Sequence, residues 1–204
     1  MIGIIDYGLG NLKSISGMLR KIGSPCEIVH SNSNFCHFSK FILPGVGSFD
    51  HGMSGLRERG FINPLIFEII EKNKPLLGIC LGMQLLGKCS EEGTLPGLGL
   101  LDCKFKKFHF NLSERYKVPH MGWNSVKAIK KNPLIPTNEI NEPRFYFVHS
   151  FYADPRESVD VIATTVYGND VAAAISKGNI FGVQFHPEKS HRYGMELLKR
   201  FSEI

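Results

Sequence analysis

Two separate stretches of the sequence carry side chains that could perform nucleophilic chemistry. The first, residues 78–82 (GICLG), places Cys80 between two glycines. The second, near the other end of the chain, places Glu188 two residues after His186, with a proline between them. A thiol nucleophile needs a base to take its proton and a group to orient that base. The residue types therefore predict a Cys80–His186–Glu188 triad, if the fold brings the two stretches together.

Each stretch also has an ordinary structural interpretation. A free cysteine such as Cys80 is often only a small buried hydrophobe. A histidine at the end of an apolar strand, followed by a solvated glutamate, needs no catalytic role. Together the two stretches favour catalysis, because reactive titratable groups cluster at functional sites.

The residues around Cys80 predict a strand, a tight turn and a helix. Residues 76–79 form a short apolar run that suits a buried strand, and residues 83–86 continue as an apolar helix. This is the nucleophile-elbow arrangement, with sulfur where hydrolases place serine. The flanking glycines avoid clashes at a strained turn. A helix N-terminus favours the thiolate, and the N–H of Leu81 would face a developing oxyanion.

A second glycine-containing turn follows the predicted strand 41–43. There Gly45, Val46 and Gly47 come after a proline. Two glycines around a small residue allow the backbone to turn N–H groups inward, which would suit an oxyanion. An ordinary loop between a strand and a helix is the alternative.

The composition is that of a globular protein with one domain. Of 204 residues, 43% are hydrophobic and 21% are charged, which are ordinary values. The net charge is +5, but the basic residues are scattered apart from Lys104, Lys106 and Lys107. This group is too small for a nucleic-acid site and predicts a solvated strand face.

The cysteines and the apolar runs exclude several other classes. Five cysteines at irregular spacing favour free thiols in the reducing cytoplasm. No cysteine or histidine pair has metal-ligand spacing, so we expect neither a metal nor another cofactor. The first apolar run ends at Asp6, too early for a signal peptide. No run approaches the ~18 apolar residues of a membrane span.

The first half of the chain alternates between predicted strands and helices. Strands at 1–5, 26–30, 41–43 and 76–79 are separated by helical patterns, which indicates a parallel sheet covered on both faces. Asn11 is a predicted N-cap for the first helix. The loop before that helix lacks the third glycine of a dinucleotide fingerprint, because Lys13 occupies its place.

The second half is richer in short strands. A proline-rich surface connection is predicted at 132–143, and a closing helix at the C-terminal end. A hairpin turn is predicted at 177–179. The predicted strands are 100–105, 117–118, 122–126, 144–151, 159–166, 171–176 and 180–185.

Two further histidines occupy positions that could line the same site. His149 lies where a predicted strand meets a loop, and His120 lies within PHMGW. The other histidines suit surface or packing positions; they are His30, His37, His51, His109 and His191.

These stretches resemble known sequences along the whole chain. GICLGMQ (78–84) with FHPE (185–188) resembles the class I glutamine amidotransferases, whose triad is Cys-His-Glu. A longer likeness, in register from end to end, is to the family of glutaminase subunits of imidazole glycerol phosphate synthase. It is carried by IDYGLGNLKS (5–14), LPGVGSF (43–49), KPLLGICLGMQLL (74–86), SEEG (90–93), GLGLL (97–101), KVPHMGWN (117–124), YFVHSFY (146–152) and QFHPEKS (184–190).

The resemblance implies a fold and a role for each matching residue. The fold is α/β: one domain, 1–204, with an open mixed sheet, a parallel core, helices on both faces and antiparallel strands in the C-terminal half. Cys80 would attack the side-chain amide of L-glutamine, with His186 moving the proton and Glu188 orienting it. Backbone at Gly45, Val46, Gly47 and Leu81 would hold the oxyanion. Glutamine's amino-acid end would be held by Gln84, Glu92, His149, Ser150 and Phe151.

The resemblance also implies a partner. Asn11, Trp123, Tyr146 and Lys189 would face a (β/α)₈-barrel cyclase subunit in a heterodimer, to which ammonia passes directly. The tail at 190–201 is closer to paralogues that supply a surface-sugar amidating synthase, so that acceptor stays open as an alternative. Relatives also usually have tyrosine at position 151. A non-catalytic regulator that kept the fold is a third hypothesis, which the intact triad residues disfavour.

Overall fold

A computed structural model describes residues 1–111, 115–137 and 142–204 of the chain. The strands are β1 (Ile2–Ile5), β2 (Cys26–Val29), β3 (Lys40–Gly45), β4 (Leu76–Cys80), β5 (Cys89–Ser90), β6 (Cys103–Lys107), β7 (His120–Ser125), β8 (Lys127–Ala128), β9 (Arg144–His149), β10 (Phe151–Pro155), β11 (Val161–Tyr167), β12 (Asn169–Lys177) and β13 (Ile180–Val183). The α-helices are α1 (Leu12–Lys21), α2 (Phe49–Glu58), α3 (Ile62–Ile66), α4 (Leu81–Leu86) and α5 (His191–Glu203).

The parallel core that the sequence predicted is confirmed. Five strands lie side by side in the order β2-β1-β3-β4-β13, and each pair is parallel. Strands β1, β4 and β13 are buried at every position. Complete burial explains their continuous apolar sequences, because strands covered on both faces have no solvent side for polar residues.

The antiparallel half continues the same sheet beyond β13. Strands β12, β10 and β6 follow in that order through antiparallel pairs, and β5 ends this path. Strand β11 pairs with β12 and β8. Strands β7 and β9 form a separate two-stranded antiparallel sheet. The described chain therefore has the mixed sheet that was expected.

Helices cover both faces of the sheet, as predicted. On one face, Ile15 and Leu19 of α1 share a core with Leu198 and Phe201 of α5. On the other face, α2, α3 and α4 contribute a second core, in which Phe49, Leu65 and Leu85 are fully buried. Because helices alternate with the parallel strands, right-handed crossovers can place them on either side of the sheet.

Several predicted boundaries were wrong. The run 144–151 is two strands, because the chain bends at Ser150 and changes sheets. Residues 117–118 are not in a strand, and strands β5 and β8 were missed because each has only two residues. The third helix of the first half, α3, continues as a π-helical segment, Phe67–Glu71, in which Ile70 is 51% exposed.

Other features of the surface agree with the sequence. Lys104, Lys106 and Lys107 are exposed on β6, and Lys106 forms an ion pair with Asp154. Within the described ranges, no helix has both the length and the apolar character to cross a membrane. Part of the predicted connection at 132–143, residues 138–141, lies outside the described residues.

Two glycines test how tightly the helix after β4 packs on β3. A Cβ at Gly82 would contact the carbonyl oxygen of Leu43, whereas a Cβ at Gly17 in α1 would meet nothing within 4 Å. We expect Gly82→Ala to lower the free energy of unfolding by about 2 kcal/mol, because backbone cannot move aside cheaply. Gly17→Ala should raise it by about 0.5–1 kcal/mol through helix propensity. Urea denaturation measures both, and equal effects would contradict the packing argument.

Candidate active site

The candidate site lies where three neighbouring strands of the parallel core end. Strand β3 ends at Gly45, which pairs in register with Cys80 at the end of β4. Strand β13, on the other side of β4, runs into His186. The carboxyl ends of parallel strands are the usual place for a ligand in open α/β sheets. The two stretches that the sequence singled out are therefore brought to one edge.

Cys80 occupies the predicted strand–turn–helix elbow. Its φ angle is +53°, a left-handed conformation that is strained for a residue with a side chain. A Cβ at Gly78 would lie 2.8 Å from the carbonyl oxygen of Gly82 and from the Cα of Met83. The glycines around the nucleophile are therefore required by close packing of the turn against its own strand and helix.

The imidazole of His186 is held from one side only. Its Nδ1 lies 2.8 Å from Oε1 of Glu188, and both side chains are almost fully buried. Among the described residues its buried Nε2 has no hydrogen-bond partner at standard geometry. Because the Glu188 carboxylate accepts the Nδ1 proton, Nε2 is the nitrogen left to exchange a proton with a neighbouring nucleophile.

Cys80 is that neighbour. The pKa of His186 depends on both Cys80 and Glu188, and the pKa of Glu188 depends on His186. Burial by itself lowers the pKa of His186, but interactions with Cys80 and Glu188 outweigh it and raise that pKa to about 10. Burial also acts to raise the pKa of Glu188, but hydrogen bonds from His186 and Asn11 leave it below its usual value. The arrangement therefore favours a protonated imidazole, held between the sulfur of Cys80 and the carboxylate of Glu188.

Asn11 occupies the N-cap position of α1, as predicted, but its side chain does not cap the helix. Its carbonyl oxygen does accept the N–H of Ile15, but its amide Nδ2 donates to Oε1 of Glu188 at 2.8 Å. A charge-assisted bond to a buried carboxylate is stronger than a cap bond on a partly exposed helix end. Asn11 thus lies directly behind the orienting carboxylate of the triad.

A cavity of about 280 Å³ opens at the thiol. All the predicted substrate-binding positions line it except Gly45, which faces Cys80 in the sheet register instead. Pro119 and Val148 line it as well and were not predicted, and the Cys80 sulfur lies 4.0 Å from the carbonyl oxygen of Val148. The lining residues are Val46, Gly47, Cys80, Leu81, Gln84, Glu92, Pro119, Val148, His149, Ser150, Phe151 and His186.

Glu92 is the acidic residue of this cavity. Its Oε2 accepts the N–H of Phe49, in the first turn of α2, at 2.8 Å. Burial raises the pKa of Glu92, although the bond to Phe49 opposes this. A carboxylate held against a helix N-terminus is well placed to receive an ammonium group on its free side. Within the described ranges, no cluster of three His, Cys, Asp or Glu residues could hold a metal ion.

Sequence reasoning missed two residues that support the reactive groups. Gln184 is fully buried, its Nε2 lies 3.7 Å from the Cys80 sulfur, and its Oε1 accepts from Gln84 at 3.3 Å. Tyr7 is also buried, and its hydroxyl donates to the carbonyl of Pro44 at 2.7 Å, beside the glycine-containing turn. A polar residue inside a buried apolar strand end was the available signal for Gln184.

Three of the four predicted partner residues are neighbours, whereas the fourth, Asn11, bonds to Glu188. Trp123 on β7 pairs in register with Tyr146 on β9, and Trp123 is 40% exposed. The ammonium of exposed Lys189 lies 5.6 Å from the centroid of the Tyr146 ring. Met121, two residues before Trp123, is 61% exposed. We call Met121, Trp123, Tyr146 and Lys189 the aromatic face.

The comparisons with known protein sequences agree on one family. The family model described as "Glutamine amidotransferase class-I" matches residues 3–203. The chain is 51% identical, over 98% of both chains, to a Methanococcus maripaludis protein named "Imidazole glycerol phosphate synthase subunit HisH 2". It is 45% identical over the full length of both chains to a Pseudomonas aeruginosa protein of the same name. A Leptospira interrogans protein named "Imidazole glycerol phosphate synthase subunit HisH" is 46% identical over the full length of both.

Solved structures share the fold at low sequence identity. One described as a glutamine amidotransferase superposes with a TM-score of 0.72 at 16% identity, covering 100% of this chain and 99% of that one. A chain of PurLQS from Thermotoga maritima gives a TM-score of 0.72 at 20% identity, with 99% and 97% covered. These similarities establish the arrangement of strands and helices.

The interaction between Cys80 and His186 predicts that replacing Cys80 changes the pH at which the His186 ring titrates. The pKa of His186 is about 10 in the folded chain, above its value of about 6.5 in the unfolded chain. This difference stabilises the fold fully below about pH 6.5, and the stabilisation is lost as pH rises through about 10. Cys80→Ala removes one of the two groups that raise this pKa. We therefore expect the His186 ring, followed by NMR, to titrate at lower pH in Cys80→Ala. An unchanged titration would mean that the sulfur does not interact with the imidazole.

Proposed function

The chain belongs to the class-I glutamine amidotransferase family, and from that premise we propose that it is the glutaminase subunit of an imidazole glycerol phosphate synthase. Full-length relatives at 45–51% identity carry that subunit name. The observation that carries the chemical part is the meeting of Cys80, His186 and Glu188 at one cavity of amino-acid size. The proposed reaction is hydrolysis of L-glutamine to L-glutamate and ammonia.

In the first half of the proposed reaction, the Cys80 sulfur attacks the side-chain amide carbon of glutamine. A carbon–sulfur bond forms, and the carbonyl oxygen becomes an oxyanion. The N–H of Leu81 and an N–H from Gly45, Val46 or Gly47 stabilise it. The protonated Nε2 of His186 then gives its proton to the leaving nitrogen, the carbon–nitrogen bond breaks, and ammonia departs.

In the second half, water hydrolyses the glutamyl thioester. Nε2 of His186, now unprotonated, takes a proton from the water as its oxygen attacks the thioester carbon. The carbon–sulfur bond breaks, glutamate leaves, and Cys80 is restored. Throughout, the Nδ1–Glu188 bond of 2.8 Å holds the imidazole with Nε2 toward the sulfur.

The same cavity offers groups that would hold the amino-acid end of glutamine. The Glu92 carboxylate offers an acceptor for the α-ammonium group. The backbone of His149, Ser150 and Phe151 offers polar groups for the α-carboxylate. Because a backbone contact does not depend on a side-chain hydroxyl, phenylalanine at position 151 is compatible with this role. Gln84 completes the wall near the sulfur.

The aromatic face supports assembly with a second subunit. It combines exposed aromatic, aliphatic and cationic groups, the types that concentrate at protein interfaces. We propose that the partner is a (β/α)₈-barrel cyclase subunit in a heterodimer, and that ammonia reaches it without entering bulk water. All five cysteines are free thiols, which suits the proposed cytoplasmic location.

Replacement of the nucleophile separates the two half-reactions of the assembled enzyme. We expect Cys80→Ala to reduce glutamine-dependent turnover by ~10⁴-fold or more, because no other group can form the thioester. Synthesis from added ammonium salt by the same complex should persist. The measurement is product formation by the chain with the candidate cyclase and its ribonucleotide ligand, with each nitrogen source. Retained glutamine hydrolysis in Cys80→Ala would show that the nucleophile is misassigned.

The same assay with the unmodified chain tests which synthase receives the ammonia. Production of imidazole glycerol phosphate from glutamine supports the histidine-pathway assignment. A chain that hydrolyses glutamine with a surface-sugar synthase, but yields no imidazole glycerol phosphate with the cyclase, would assign it to the paralogous role instead.

Truncation of one aromatic side chain tests the proposed interface. We expect Trp123→Ala to weaken binding of the cyclase by more than tenfold, or roughly 2 kcal/mol, as central aromatic residues do at interfaces. Val159→Ala is the control, because Val159 is 66% exposed but lies in a different element, outside the aromatic face. Affinity is measured by calorimetry. Equal affinities for the two variants would place the interface elsewhere.

A further inference from the structure

Two histidines, His149 in the cavity wall and His120 outside the lining, form a hydrogen-bonded pair that the proposed mechanism does not use. Nδ1 of His120, on β7, lies 3.0 Å from Nε2 of His149, at the end of β9. The two side chains belong to residues that are only 2% and 6% exposed. Nδ1 of His149 in turn lies 2.8 Å from the carbonyl oxygen of Phe151. The pair therefore connects the two-stranded sheet to the cavity.

The surrounding partners allow only one placement of the protons. Oδ1 of Asn124 accepts the N–H of Ser125 at 2.9 Å, so its Nδ2 donates, to the carbonyl of Val166 at 2.8 Å and toward Nε2 of His120 at 3.4 Å. Nε2 of His120 is therefore an acceptor, and the proton of a neutral ring is on Nδ1.

The placement of the proton on the His149 ring follows from the partners of that ring. A carbonyl oxygen can only accept, so Nδ1 of His149 carries a proton and donates it to Phe151. Nε2 of His149 then accepts from Nδ1 of His120. One direction of donation runs from Asn124 through both rings to Phe151, with each ring uncharged. An additional proton on either Nε2 would set two donors against each other.

Packing and charge keep this chain of hydrogen bonds in place. The His120 ring stacks on Phe147 and on Tyr167, with centroid distances of 4.6 and 3.9 Å. Burial lowers the pKa of His120 to about 4 and that of His149 to about 3, the latter against the opposing bond to Phe151. The nearby charge of His186 further disfavours protonation of His149.

The end of this chain is the part of the wall assigned above to the α-carboxylate of glutamine. His149, Ser150 and Phe151 all line the cavity, at the bend between β9 and β10. The bond from His149 to Phe151 closes that bend, and the carbonyl of Ser150 accepts the N–H of Phe108 at 3.0 Å. The carbonyl of Phe151 is thus fixed by the His149 side chain, and that of Ser150 by the backbone of Phe108, which does not line the cavity.

We propose that His120 is a positioning residue for glutamine, acting through uncharged His149 to fix the backbone of residues 149–151. The inference rests on the proposed glutaminase function, because it takes glutamine as the ligand of that wall. A bend held in one conformation before binding saves the free energy of ordering it around the ligand.

The test uses two variants of nearly the same shape, in the full chain carrying Cys80→Ser so that bound glutamine is not consumed. His120→Asn keeps a donor close to the position of Nδ1, whereas His120→Leu does not. L-glutamine is titrated into each protein by calorimetry. We expect His120→Leu to bind roughly tenfold more weakly than the parent, and His120→Asn to recover most of that loss. Equal weakening in both would overturn the hydrogen-bond role in favour of ring packing, and unchanged affinity in both would also overturn the inference.

A spectroscopic measurement decides the proton placement even if His120→Leu fails to fold. Long-range ¹H–¹⁵N NMR of the Cys80→Ser chain reports which ring nitrogen of each histidine is protonated. Both His120 and His149 should carry their proton on Nδ1, and should stay uncharged down to about pH 5. A proton on Nε2 of either ring would overturn the inference. A chain that shows the expected protonation but binds no glutamine would instead contradict the proposed function, and the positioning role with it.

Discussion

The pairing of β4 with β13 is the contact on which the site depends. Cys80 and His186 are separated by more than a hundred residues of sequence, and they meet because the strands that precede them are adjacent and parallel. The other neighbour of β4 is β3, which supplies the glycine-containing turn. Parallel neighbours end at the same edge, so one sheet order places the proposed nucleophile, the proposed base and candidate oxyanion donors side by side.

Two buried histidines at this edge differ in charge because their surroundings differ: His186 is protonated and His149 is neutral. His186 faces a carboxylate and a sulfur, and its pKa is raised; His149 faces a carbonyl and a neutral imidazole, and its pKa is lowered. Burial acts in the same direction on both, so the partners decide the difference. A positive charge is thus confined to the ring beside the nucleophile, while the ring in the cavity wall remains a neutral hydrogen-bonding group.

His186 and Glu188 also lie close to the aromatic face. The N–H of His186 donates to the carbonyl of Tyr146 at 2.9 Å, and the adjacent residue to Glu188 is Lys189, which lies over the Tyr146 ring. On the other side, Asn11 bonds directly to Glu188. A subunit bound to this face would therefore contact residues next to His186 and Glu188, which gives assembly a short physical route to influence the proposed chemistry.

The sequence by itself determined the parallel core and the elbow at Cys80, because strand burial and glycine spacing are local properties. Side-chain chemistry, also local, singled out Cys80, His186 and Glu188 as the residues of the proposed triad. The sequence did not determine that the Asn11 side chain bonds to Glu188 instead of capping its helix, that Gln184 contacts the sulfur, or that His120 donates to His149. Those partners come from elements distant in the chain, and a buried polar group takes whichever partner the packing supplies. Only the tertiary structure fixes that choice, since it alone sets which strands and loops are neighbours.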